Sequence, residues 1–173
     1  MASNRDISLV IRAKDEASRA FENVNKLIED LALLTRHKLK NQNIQLIQHL
    51  HPNLPLIEAD ASQLEQAFLN LTLNAAEAMP QGGKVTITTR PSPAAPRGTK
   101  GSPHIAIEFK DTGQGMTEEQ RKKAFTSLLS TTKAKGTGLG LAIVSRAVDI
   151  HRGKVNVKSK RGAGTTITVL LPL

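Results

Sequence analysis

Gln66-Ala67-Phe68-Leu69-Asn70-Leu71-Thr72-Leu73-Asn74-Ala75-Ala76-Glu77-Ala78 is the stretch on which the reading of this chain turns. Its apolar spacing predicts a helix, and at about 100° per residue Gln63, Gln66, Asn70, Asn74 and Glu77 fall within an arc of roughly 80°. Ala67, Leu71 and Ala78 flank that arc on one side, Leu69 and Leu73 on the other. An ordinary amphipathic helix turns one polar face to water and one apolar face to the core. A polar stripe between two apolar flanks either lines a cavity or is satisfied by the protein's own backbone, as buried amides usually are. This stretch alone leaves the two readings level.

Working outward, Asp60 or Ser62 can cap the start of the helix, and Pro80-Gln81-Gly82-Gly83 ends it. Val85-Thr-Ile-Thr-Thr89 and Ile105-Ala-Ile-Glu-Phe109 alternate as half-buried strands, and the segment between them, 91–103, has the Pro, Gly, Ala and Ser content of an exposed connection. Upstream, Asn43-Ile-Gln-Leu-Ile-Gln-His49 and Leu56-Ile57 read as strands. Downstream, Thr117 with Glu119 or Gln120 opens a second helix, a third runs from Gly138 to about Ile150, and Lys154-Val-Asn-Val157 and Thr165-Thr-Ile-Thr-Val169 close the chain as strands. Several strands follow one another without a crossover helix, which favours an α+β fold over a doubly wound parallel sheet.

The N-terminal part reads differently. Residues 7–11 form a short strand or a leader, and from Lys14 onward Ala17, Ala20, Val24, Leu27, Leu31 and Leu34 recur in steps of three and four, with Phe21 and Ile28 widening the stripe. The spacing predicts a coiled-coil-like helix that pairs with a second copy of itself in preference to packing on the domain behind it. Residues 1–40 are accordingly set apart from a globular domain over 41–173.

Composition narrows the function classes. The 173 residues include no cysteine, which excludes a disulfide framework and thiol chemistry. No apolar run reaches membrane-spanning length and the first residues lack a secretory hydrophobic region, so the expectation is a cytoplasmic location without a membrane partner. A net charge of +9 suits a polyanion, but the basic runs are short, and four Phe with no Trp or Tyr offer little to stack on bases; nucleic acid is disfavoured.

Two glycine clusters then break the tie left by the asparagines. Asp111-Thr112-Gly113-Gln114-Gly115-Met116 places a carboxylate at a strand end, in a turn whose glycines let a ligand approach the backbone. Such a carboxylate can accept a hydrogen bond from the exocyclic amine of adenine, whereas a guanine carbonyl there would repel it. Gly136-Thr137-Gly138-Leu139-Gly140-Leu141 leads into an apolar helix whose first amides and dipole suit phosphate, and Lys133 and Lys135 upstream add charge. Its spacing is neither the dinucleotide fingerprint nor a P-loop, and residues 127–136 read as a lid. The Asn70 and Asn74 oxygens are neutral hard ligands suited to Mg²⁺, which takes the rest of its shell from water and phosphate. Together these pieces describe an ATP site.

With those motifs in order, residues from about 41 to 173 resemble the catalytic, ATP-binding domain of sensor histidine kinases, in the superfamily shared with gyrase, MutL and the large heat-shock chaperones. Asn-Ala-Ala-Glu-Ala-Met, residues 74–79, is similar to the nitrogen-regulator-type kinases. The resemblance implies a two-layer α/β sandwich of the Bergerat type, with a mixed sheet of about five strands and three helices after the N-terminal helix. It implies Asn74 as the principal Mg²⁺ ligand with Asn70 assisting, Asp111 on the adenine amine, and Thr165 supporting Asp111 through a water. Gly113, Gly115, Gly138 and Gly140 would shape the pocket and lid, with Lys133, Thr137 and Leu139 among the nucleotide-binding residues. The implied partners are a histidine-bearing dimerisation domain and a response regulator.

Three departures qualify what the resemblance implies. Hydrolytic members of the superfamily carry a glutamate base one turn before the metal asparagine; here that position is Asn70, and an amide cannot take a proton from water. That favours phosphotransfer over the alternatives, an ATPase or a nucleotide-binding dimeric scaffold. None of His37, His49, His51, His104 and His151 has the sequence context of a phosphoacceptor, so the accepting histidine is expected outside this chain. The aromatic segment before the lid keeps Phe125 but has Leu128-Leu129 where aromatics are usual. The residues before about Lys26 fit no kinase pattern and faintly resemble the opening of phage tail tape-measure proteins, as a fusion segment would.

Overall fold

The computed structural model describes residues 20–92, 103–123 and 140–173. Along the chain these form β1 (Ala20–Glu22), α1 (Val24–Asn41), β2 (Ile44–His49), β3 (Ile57–Ala59), α2 (Ala61–Glu77), β4 (Gly83–Ser92), β5 (His104–Asp111), α3 (Glu118–Lys123), α4 (Gly140–Ile150), β6 (Lys154–Ser159) and β7 (Thr165–Pro172). Five strands make one sheet in the order β2-β4-β5-β7-β6, with β2 parallel to β4 and the remaining pairs antiparallel. The expected α+β architecture, a mixed five-stranded sheet with three helices after an N-terminal one, is what the chain adopts.

Period-two alternation decides which face is covered. Val85 and Ile87 of β4, Ile105, Ile107 and Phe109 of β5, and Ile167, Val169 and Leu171 of β7 are buried in one cluster with Leu64, Ala67, Phe68 and Leu71 of α2 and Val144, Ala147 and Val148 of α4. Residues of the opposite parity, Thr86, Lys110, Thr166 and Lys158, lie in register across four strands on the other face. Phe68, fully buried, packs its ring on Phe109 with centroids 5.5 Å apart at 40°, so the asparagine helix is held directly on the middle of the sheet.

Helix ends follow capping chemistry. Asp60, not Ser62, caps α2: its backbone is extended and its carboxylate accepts the Gln63 N–H. Thr117 and Gln120 cap α3 reciprocally, the Gln120 N–H donating to Thr117 Oγ1 and the Thr117 N–H to Gln120 Oε1.

The coiled-coil reading of the N-terminal part is corrected. Ala20 lies on a strand, because Ala20–Glu22 is extended and pairs antiparallel with Ile57–Ala59. Asn23, also extended, then caps α1 by accepting the N–H groups of Asn25 and Lys26, so the helix begins at Val24 rather than near Lys14. Val24, Leu27, Ile28, Leu31 and Leu39 are buried in the same core as Phe68, so the stripe expected to meet a second copy packs on this domain. Phe21, Leu33 and Leu34 remain exposed. Residues 14–19 lie outside the described residues. Asn23→Ala is expected to lower stability by about 1 kcal/mol while leaving ligand affinity unchanged; paired urea melts of the two proteins check it, and an unchanged midpoint contradicts the cap.

Candidate functional site

Asp111 is the last residue of β5, where the register places it opposite Val85, and only 7% of its surface is exposed. Its Oδ1 accepts two backbone hydrogen bonds, from the Gly113 N–H at 2.8 Å and the Thr165 N–H at 3.1 Å. Among the described residues no hydrogen bond reaches Oδ2. Burial pushes the Asp111 pKa up from the ordinary carboxylate value, against the lowering pull of those two N–H groups. The carboxylate is thus clamped on one oxygen and open on the other.

Its clamp is built from three separate parts of the chain. Gly113 fits against the end of α2, where a Cβ would lie 2.6 Å from the Ala78 carbonyl oxygen, and the Gln114 N–H donates to that oxygen. Gly115 leaves no room beside the Lys160 carbonyl. On the β6–β7 side, Ser159 Oγ accepts the Met116 N–H at 2.8 Å, donates to the Gly164 carbonyl at 3.1 Å and sits 2.9 Å from Thr165 Oγ1. Thr165 thus contacts Asp111 directly through its own backbone N–H. Gly164 belongs to the Gly162-Ala-Gly164-Thr165 motif before the last strand, whereas nothing in the sequence points to Ser159, which only strand pairing brings to Asp111.

Asn70 and Asn74 stand one turn apart on α2, both half-buried. Gly140, the first described residue of α4, lies against the Asn74 carboxamide: a Cβ there would meet Asn74 Nδ2 at 3.3 Å. Asn70 Nδ2 is buried and has no hydrogen-bond partner among the described residues. A buried amide left unpaired costs about 1–3 kcal/mol. Gln63 and Gln66, the other end of the stripe, line an open groove between α2 and α4 with Ile143 and Arg146. Neither Asn70 nor Asn74 lines that groove.

Among the described residues no three His, Cys, Asp or Glu gather as a metal cluster, so a metal here would be held by the neutral oxygens of Asn74 and Asn70. That donor set fits Mg²⁺, which keeps much of its water and phosphate shell, and the glycine contact at Asn74 leaves that side chain uncrowded. The structure brings together Asn70, Asn74 and Gly140 on one side and Asp111, Gly113, Gly115 and Thr165 on the other. Lys133, Thr137, Gly138 and Leu139, with the lid expected over 127–136 and Phe125, lie outside the described residues.

The arrangement has many relatives. Residues 59–173 match the family described as histidine kinase-, DNA gyrase B-, and HSP90-like ATPase. The sensor histidine kinase ZraS of Escherichia coli K12 is 36% identical over 172 residues, 98% of this chain and 35% of that protein. Sporulation kinase E of Bacillus subtilis is 33% identical over 165 residues, 95% of this chain and 21% of that protein. This chain therefore spans about a third of those relatives' length or less. Among solved structures, the nucleotide-free catalytic domain of histidine kinase ThkA superimposes with a TM-score of 0.74 at 28% identity, over 89% of this chain and 97% of that one. Full-length ShkA in complex with AMPPNP gives 0.73 at 28% identity, over 90% of this chain and 31% of that one. On the match of residues 59–173, the chain belongs to the histidine kinase-, DNA gyrase B-, and HSP90-like ATPase family, as an ATP-binding catalytic domain of the sensor histidine kinase kind.

Proposed function

We propose that this domain binds Mg²⁺·ATP and delivers the γ-phosphoryl group to a histidine on a separate dimerisation hairpin, from which a response regulator receives it. The observation that carries this reading is the Asp111 carboxylate, buried at a strand end with Oδ1 held by two amides and Oδ2 open. Its open oxygen accepts from the adenine amine, and the first amides of α4 face the phosphates. Asn74 and Asn70 would hold Mg²⁺, whose chemistry is to neutralise charge on the phosphate oxygens during transfer. Asn70 Nδ2, which has no hydrogen-bond partner among the described residues, can donate to a phosphate oxygen. In the transfer itself the bond from the γ-phosphorus to the β,γ-bridging oxygen breaks, a phosphorus–nitrogen bond forms to the acceptor imidazole, and ADP leaves. Because Asn70 is an amide, nothing at that position activates water, and hydrolysis is slow beside transfer. On this reading, which requires ATP and a response regulator, the domain works in the cytoplasm.

Calorimetric titration of the 173-residue chain with ATP and ADP, with and without Mg²⁺, tests the reading. Binding of both nucleotides, with ATP tightened by Mg²⁺, is expected, and a chain that takes up neither overturns it. Asn74→Ala is expected to remove most of the gain from Mg²⁺, about tenfold in ATP affinity, with little change in metal-free binding. A variant that keeps the full magnesium gain takes Asn74 out of the metal site.

A further inference from the structure

His151 follows directly on α4 and is buried, 6% exposed, at the end remote from Gly140. Its two ring nitrogens have separate partners: Nδ1 lies 2.6 Å from the Ala147 carbonyl oxygen, and Nε2 lies 2.9 Å from the backbone nitrogen of Asp60. A backbone N–H can only donate, so Nε2 presents its lone pair and Nδ1 carries the proton to Ala147. Asp60 is the cap of α2, its carboxylate already engaged with the N–H and the side-chain amide of Gln63. The imidazole is therefore a strut between the end of α4 and the start of the asparagine helix.

The same two helices meet again at their other ends, where Gly140 lies against Asn74. Between the two contacts, Val144, Ala147 and Val148 pack in the core shared with Leu64, Ala67, Phe68 and Leu71. Apolar contacts of this kind tolerate small slides, whereas a hydrogen bond to one backbone N–H does not. The end of α4 is closed without the imidazole's help: Arg152 takes φ +55°, and the Gly153 N–H donates to the Val148 carbonyl at 2.8 Å. What His151 adds is the link across to α2.

We infer that His151 is a positioning residue for the nucleotide site, fixing the register of α4 on α2 and thereby the placement of the α4 start against Asn74. It touches no reacting atom. The inference rests on the assignment of Asn74 and the α4 start to Mg²⁺·ATP made above.

Its test compares three variants of the full chain. In H151Q the side-chain carbonyl can stand where Nε2 was and accept the Asp60 N–H; in H151N the shorter amide can serve only Ala147; H151A serves neither. Calorimetry with Mg²⁺·ATP, beside thermal melts, is expected to give about tenfold weaker binding for H151A and H151N and binding within about threefold of wild type for H151Q. Melting temperatures need not follow that order. Equal affinity in H151N and H151Q, or affinity unchanged in all three while stability falls, overturns the inference and leaves His151 a core histidine. If H151A does not fold, the other pair decides; if none folds, His151 is a folding residue and the inference fails. A wild-type chain that binds no nucleotide removes the nucleotide site itself and this role with it.

Discussion

Replacing Asp111 with alanine is expected to weaken ATP and ADP binding by about a hundredfold, the worth of one hydrogen bond to a charged acceptor in a buried setting. On the proposed function the carboxylate does two jobs, which different substitutions separate. Asp111→Asn keeps an oxygen to accept the Gly113 and Thr165 N–H groups, so the turn survives, but it puts an amide in place of the open carboxylate oxygen. The asparagine variant should therefore stay folded, lose ATP affinity and lose its preference for adenine over guanine nucleotides. Titrations with ATP and GTP against both variants check this; adenine selectivity that persists in Asp111→Asn would place base recognition elsewhere.

The pH dependence has a definite sign. Burial raises the Asp111 pKa above the ordinary aspartate value, despite the two N–H groups that lower it. Acceptance from the adenine amine needs the ionised form, so affinity falls as pH drops through that raised value, earlier than for an ordinary carboxylate. For stability the sign is reversed. Between the unfolded and the raised folded pKa, the folded chain holds a proton that the unfolded chain has released, so this group's contribution to stability declines as pH rises through that interval. Comparing ATP affinity of wild type and Asp111→Asn across the acid range isolates the group, since the variant should lose this component.

Gly164→Ala is expected to destabilise the protein by about 3 kcal/mol, the upper end for a side chain forced into a left-handed backbone, with overlap added. Gly164 has φ +81°, and a Cβ would fall 2.1 Å from the Asp111 carbonyl oxygen and 3.2 Å from the Thr112 Cα. Neither atom can rotate away, so the β6–β7 turn must retreat from β5 and carry the Thr165 N–H off Oδ1. Nucleotide affinity should fall together with stability. Gly162 supplies the control: its φ of +79° is nearly the same, but nothing lies within 4 Å of a Cβ there. Gly162→Ala is then expected to cost only the backbone strain, about 1 kcal/mol, with affinity unchanged. Chemical denaturation of the two variants side by side tests this, and equal losses would mean that strain alone, not the close approach to Asp111, makes position 164 a glycine.

Local chemistry made much of this protein legible before any coordinates. The polar stripe on α2, the Asp-Thr-Gly turn and the alternating strands declare themselves through periods of 3.6 and 2 and through turn residues, all short-range signals. The N-terminal helix differs from its sequence expectation for the same reason. Leu27 and Leu31 show the same spacing whether they face a second copy or Phe68's core, and nothing in the stripe reveals that Ala20–Glu22 pairs with Ile57–Ala59 and cuts the helix short at Asn23. Ser159 and His151 carry no sequence signal of their role, because their partners lie far away in sequence.

By itself, then, the sequence determined which chemistry the chain can do: two carboxamides one turn apart, one carboxylate in a glycine turn, and an amide where water activation needs a carboxylate base. The tertiary structure decided where those groups stand relative to one another. Strand order β5-β7-β6 brings the Thr165 amide onto Asp111 and leaves one oxygen open, and the packing of α4 on α2 sets Gly140 against Asn74. The physical reason is one of range. Periodicity and turn preference act over a few residues, whereas burial of a carboxylate and the clamping of its oxygen depend on segments that only strand pairing and the shared core bring together.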